Sequence, residues 1–181
     1  DAADSVVFVS GGVVNQITKS GSNKFEGSAN FSYGNYLSGN SNIFPGIDQL
    51  ELNRNHDLRF QVSGPIIKNK LFFFLNTRGI SNNNHLNGVN YFSVDDSSSY
   101  SSDNPDAWFS NYSGDSSLVA MNMSINQSIM GKILLKVSDK WKSSILYTLN
   151  TDIWHPYNHA FKYNPNGVAH STRETSFYAI Q

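Results

Sequence analysis

The sequence predicts an all-β protein whose strands build an antiparallel transmembrane barrel wall, and three observations lead there. Apolar and polar residues alternate with a period of two in segment after segment. A helical period is hard to find, because Ser, Asn, Gly and β-branched residues punctuate the chain too often for long helices. The connections come in two lengths, short turn-forming ones alternating with long ones, as they do on the two rims of an outer-membrane barrel.

The strands follow in order. Phe25, Gly27, Ala29, Phe31 and Tyr33 fall on one side of the first, and Glu26, Ser28, Asn30 and Ser32 on the other. Leu58, Phe60 and Val62 alternate with Arg59, Gln61 and Ser63, and Ile145, Tyr147 and Leu149 with Ser144, Thr148 and Asn150, although Leu146 breaks that polar row. Two segments are less regular. Lys70 to Arg78 is apolar on both sides until Asn76, and Met130 to Val137 mixes Lys132 and Lys136 into an apolar run. Six strands are expected, at about 25–36, 56–64, 70–80, 128–137, 141–151 and from about 173. Val119 to Asn126 also alternates and reads as either a loop hairpin or a strand extension.

Gly64 to Asn69 and Ser138 to Lys140 carry the Pro, Gly, Asn and Asp of tight turns. Long loops are expected at about 35–56, 81–127 and 152–172. Compact domains rarely contain structureless connections beyond about 15 residues, whereas strands near ten residues suit a tilted span of the hydrocarbon layer. A soluble β-sandwich would alternate in the same way, because one face of each sheet packs on a core. The aromatics Phe25, Phe31, Tyr33, Tyr36, Trp141 and Tyr147 near strand ends favour an interfacial girdle over that reading.

Composition excludes several partners and chemistries. Ser and Asn supply roughly fifty of the 181 residues, only 15% are charged, and the net charge is -1. Nothing clusters Lys and Arg as a phosphate backbone requires, so nucleic acid is not an expected partner. The longest apolar run, Leu71 to Leu75, is far too short for a membrane-crossing helix. Without cysteine there is no disulfide and no thiolate chemistry. The chain begins at Asp1 with no initiator Met or signal-peptide pattern and stops at Gln181 inside an apparent strand. It reads as an internal fragment or a processed piece.

At Gly11 to Ser28 the sequence GGVVNQITKSGSNKFEGS resembles TonB-dependent outer-membrane receptors, in particular their Oar-like and SusC-like branch. In that family a similar stretch is the last strand of the plug domain and leads into the first barrel strand. VSGPIIKNKLFFF, Val62 to Phe74, is similar to the family's first periplasmic hairpin. The resemblance implies residues 1–22 as the end of the plug with its hinge, and 23–181 as the first part of an incomplete barrel. It places Gly11, Gly12, Asn15, Lys19 and Gly21 at the plug–barrel junction. It further implies a bacterial outer-membrane location and energy-coupled uptake of a large or scarce ligand, such as a saccharide, peptide or metal chelate. The implied partners are outer-membrane lipid, the rest of the barrel and plug, the TonB–ExbB–ExbD motor and a surface lipoprotein. The other functional reading is a structural or interaction protein, either a barrel scaffold in a surface assembly or a soluble β-sandwich adhesin. The residues themselves agree with the junction: Val13, Val14 and Ile17 favour a strand, and Lys19 to Asn23 makes a polar hinge.

No cofactor is expected, and no nucleophile elbow, phosphate loop or metalloprotease motif is present, so an enzyme is not expected. Asp95, Asp96, Asp103, Asp106 and Asp115 in the second long loop match no EF-hand spacing and read as a solvated acidic loop. Trp108, Phe109 and Tyr112 in that loop, and Trp154, His155 and Tyr157 in the third, are the ligand-loop candidates. Their rings can stack on a sugar or pack on a neighbouring loop. His155 and His159 are spaced for a shared metal on a helix, but Pro156 between them favours a turn.

Overall fold

The computed structural model describes residues 6–9, 12–15, 19–52 and 54–181. β1 (Val6–Val9) and β2 (Gly12–Asn15) form a small antiparallel pair. The main sheet contains β3 (Glu26–Gly34), β4 (Asn55–Ile67), β5 (Leu71–Asn82), β10 (Met123–Lys136), β11 (Lys142–His155) and β12 (Ser171–Ile180). They pair in chain order, every neighbour antiparallel, so the six-stranded sheet is an open up-and-down meander. Within the second long connection lie β6 (Asn87–Val89) paired with β9 (Leu118–Ala120), and β7 (Ser98–Ser99) paired with β8 (Phe109–Ser110).

The register shows what each face carries. One row crosses all six strands through Ala29, Phe60, Thr77, Ile129, Leu149 and Ser176, and the next toward the short turns through Gly27, Val62, Leu75, Gly131, Tyr147 and Tyr178. The opposite face carries Asn30, Arg59, Arg78, Ser128, Asn150 and Thr175 in one row and Ser32, Asp57, Ile80, Asn126, Asp152 and Arg173 in another. The first is the outer face and the second the inner face of a barrel wall.

Neither face is covered as a soluble sandwich requires. A compact monomer of this mass exposes about 8,700 Å², whereas this chain exposes 12453 Å². Phe31, Tyr178 and Ile180 are 65%, 75% and 77% exposed, and a Cβ added at Gly79 or Gly131 on the same face meets nothing within 4 Å. Among the described residues no second sheet packs on these rows. In water that surface would be a heavy liability, and acyl chains are the solvent that suits it.

The register also accounts for the irregular strands. On β5, Leu71, Phe73 and Leu75 point outward while Phe72 and Phe74 are buried on the inner face, where Gly21 of the segment leading into β3 lies against Phe72. On β10, Lys132, Leu134 and Lys136 are inward and Gly131, Ile133 and Leu135 outward, so the lysines never meet lipid.

Boundaries differ from expectation on the loop rim. β10 starts at Met123, so the segment 119–126 is divided: its first residues belong to β9 inside the loop and its last extend the sheet. β11 runs to His155 because its partner strand reaches Met123. The third connection therefore begins at Pro156, and Trp154 and His155 are strand residues rather than loop residues. The long connections are 35–54, 83–122 and 156–170, all on one rim. The short turns after β4 and β10 share the other.

Candidate functional site: the loop crown, the inner wall and the hinge

The three long loops interlock. Arg54 is wholly buried and holds the first two together: its Nε donates to Asn35 Oδ1 (2.7 Å), Nη1 to the Asn84 carbonyl (3.1 Å) and Nη2 to the Gly46 carbonyl (2.9 Å). Nη2 also pairs with Glu51 at 2.9 Å. A buried guanidinium is costly unless its donors are satisfied, and these are met from two loops at once. Asn87 Nδ2 adds a bond to the Pro45 carbonyl (2.8 Å). The third loop joins through backbone bonds from Val89 to Lys162 (2.8 Å) and from Phe92 to Tyr163 (2.8 Å). Met121 and Pro165 are buried where these segments meet, and Gly88 lies so close that an added Cβ would be 2.7 Å from the Lys162 carbonyl oxygen.

The crown brings the aromatic candidates into separate clusters. Trp108 packs edge-on against Tyr100 (5.9 Å between centroids), and its indole Nε1 donates to the Ser101 carbonyl (2.6 Å). Phe109 sits in β8 opposite Ser99. Tyr112 stacks on Tyr91 at 4.6 Å. In the third connection Tyr157 Oη meets His159 Nδ1 at 2.6 Å. His155 is buried against His170 (4.7 Å), not His159, and its Nε2 has no hydrogen-bond partner among the described residues. Trp154 is exposed at the inner-face end of β11. Among the described residues no ring contact joins the second-loop group to the third-loop group. Trp108, Phe109 and Tyr112 remain exposed, whereas His155 cannot touch a ligand without opening the crown.

Asp96 accepts from the Ser93 and Ser113 backbone N–H groups (2.7 and 2.9 Å), and the first of these bonds leads in holding its carboxyl below the usual range. Asp115 is lowered to about 2, first by the Ser117 hydroxyl, then by the Ser117 N–H and the Asn90 amide. The two carboxylates fasten the loop to itself.

On the inner wall, Asp57 is held between two arginines. Arg78 binds it in a bidentate manner from β5 (Nε to Oδ1 3.0 Å, Nη2 to Oδ2 2.8 Å), and Arg59 Nη2 approaches at 2.7 Å. Three strands away Asp152 accepts from Arg173 Nη2 (2.7 Å) and from the Asn126 amide. Such charges are tolerable only where water reaches them, which makes this the channel side.

The hinge is the third feature. Lys19 Nζ pairs with Glu26 at 2.9 Å. Gly21 passes so close to the sheet that an added Cβ would be 2.9 Å from the Gly64 carbonyl oxygen and 3.1 Å from Phe72 Cβ. Asn23 and Asn69 exchange contacts: Asn23 Nδ2 donates to Asn69 Oδ1 (2.5 Å) and the Asn69 backbone N–H to Asn23 Oδ1 (2.7 Å). Asn69 occupies φ 62° in the β4–β5 turn, a conformation that Asn tolerates better than most residues. Of the expected junction residues, Lys19 and Gly21 lie here, Gly12 and Asn15 are the ends of β2, and Gly11 lies outside the described residues. Sequence reasoning placed Asn23 in the hinge and Asn69 in a tight turn but not their contact, and it missed Arg54.

Comparison with curated proteins and with solved structures gives no match. A family model described as "Outer membrane beta barrel domain" matches residues 17–137, the hinge and the sheet as far as β10. The outer face, the inner polar wall and the two unequal rims agree with that match, and the chain therefore belongs to the outer membrane beta barrel domain family, located in the bacterial outer membrane.

Proposed function

We propose that the chain supplies the hinge and first wall strands of a TonB-dependent receptor, an importer that takes up a ligand captured by its external loops. The observation that carries this reading is the course of residues 19–24. They run along the inner wall and are fastened to the β4–β5 turn by the Asn23–Asn69 exchange. A segment entering the sheet from inside the lumen is what a barrel with an N-terminal plug needs, and a plain pore has no use for it. In this reading residues 1–22 end the plug, the exposed rings of the crown meet the ligand, and the TonB–ExbB–ExbD motor pulls from the periplasm. Outer-membrane lipid, further barrel strands and a surface lipoprotein complete the surroundings.

The chain contains no cysteine, so an engineered pair meets no competing thiol within it. The parent protein carrying Asn23→Cys and Asn69→Cys should oxidise to the disulfide more completely in cells lacking ExbB and ExbD than in energised cells. Equal yields in the two strains would count against motor-driven movement of this segment.

A further inference from the structure

Between the first two long loops lies a cleft of about 750 Å³. The first loop lines it with Asp48, Gln49 and Glu51, the second with Asn83, Asn87 and Leu118. The size falls within the range of small-molecule sites. Its walls are held in advance of any ligand. Arg54 fixes the first loop to the second through Gly46, Glu51, Asn35 and Asn84, and Asn87 fastens Pro45. Gly46 adopts φ +73° against Leu118, where an added Cβ would also crowd Asn87 Nδ2 at 3.2 Å. A site whose walls need no ordering loses little affinity to loop entropy.

The charge of the cleft is one-sided. No Lys, Arg or His lines it among the described residues, and two carboxylates do. Glu51 shares its charge with Arg54. The exposed Asp48 carboxylate has no partner among the described residues, and the Gln49 and Asn87 amides line the same cleft. An anionic solute would meet uncompensated repulsion and find no cation to bind.

We propose that this cleft receives a solute bearing an ammonium or guanidinium group, with Asp48 as the carboxylate that meets it. The assignment rests on the importer reading and narrows its ligand class: anionic chelates and phosphorylated solutes are excluded from this cleft. Asp48 supplies the charge-assisted hydrogen bond, and Gln49, its neighbour in the chain, lines the cleft with it.

The test is calorimetric titration of the full-length protein in detergent micelles with trilysine, and with triglutamate as the charge-reversed probe. Trilysine should bind and triglutamate should not. Asp48→Asn, a change at an exposed residue without a partner among the described residues, should weaken trilysine about fivefold, and Leu118→Trp should abolish binding by filling the space. Equal binding of the two probes, or an unchanged affinity in Asp48→Asn, would overturn the assignment. If trilysine fails to bind while the hinge disulfide still responds to the motor, the ligand class is wrong and the importer reading stands. If the disulfide is indifferent to the motor but trilysine binds as described, the reverse holds.

Discussion

The ring of Phe25 lies across the bare Cα of Gly64. A Cβ built at Gly64 collides with that ring, falling 2.7 Å from Cε1 and 3.0 Å from Cγ. The two residues face each other on the outer side of the sheet just beyond the Glu26–Ser63 pair, and Phe73 lies beside them at 6.3 Å between ring centroids. Here an aromatic fills the space that a glycine leaves open in a strand, at the height where the short-turn rim meets the lipid head groups.

Gly64→Ala should therefore displace the ring and cost about 1 to 3 kcal/mol. The same substitution in a Phe25→Ala background should cost much less. Urea titration of the folded barrel in detergent reads both. Additive losses would mean that the two residues do not share this space.

The face assignment has its own test at mid-height. Ile129 lies on the central outward row and Ser128 points inward. Arg at Ile129 should impair assembly by about 2 to 4 kcal/mol, while Arg at Ser128, on the watered side, should cost no more than about 1 kcal/mol of repulsion from Arg78 opposite it. Phe31 against Asn30 gives the same contrast nearer the loop rim, with a smaller difference. Heat-modifiable electrophoretic mobility separates assembled from unassembled protein, and matched behaviour of Ile129→Arg and Ser128→Arg would refute the orientation.

Removal of the buried guanidinium should loosen the crown and leave the wall intact. Arg54→Ala leaves the Asn35 side chain and the Gly46 and Asn84 carbonyls without their donor, a loss of about 1 to 3 kcal/mol for each group left buried and unpaired. Limited proteolysis should then cut within 35–54 and 83–122, with the strands still protected. An uncut crown would show that the backbone bonds of the third loop suffice.

Acid should release the second loop in a defined window. Asp96 and Asp115 have folded values below those of a free carboxylate, so their contribution is fully present above about pH 4. It declines as pH falls, and for Asp115 is lost through about 2. Hydrogen exchange of 91–117 should rise as pH drops through this window after correction for intrinsic rates, and Asp115→Asn should remove most of that dependence. A flat profile in the native protein would show that these bonds do not hold the loop.

Much of the wall was legible in the sequence, because strand residues declare their faces every second position. Phe25 to Tyr33 and Leu58 to Ser63 were assigned to the correct faces from alternation alone. The segment from Leu71 to Phe74 was not, since its inner side is covered by the chain entering at Gly21, a contact between residues some fifty positions apart. Trp154 and His155 were placed in the loop after about 151, because the strand's length is set by a partner that reaches Met123 and not by its own residues. The ligand-loop residues were legible as exposed aromatics but not as separate clusters. Nothing local to Arg54, Asn35 or Asn84 shows that they meet.

By itself the sequence determined which residues of each strand share a face and where the short and long connections fall, since these depend on periodicity and on turn chemistry between near neighbours. The tertiary structure alone decided how the crown is tied, where the hinge rests and which loop residues share a cleft. Those depend on hydrogen bonds and close contacts between distant segments, whose pairing follows from register and chain path and leaves no mark on either segment alone.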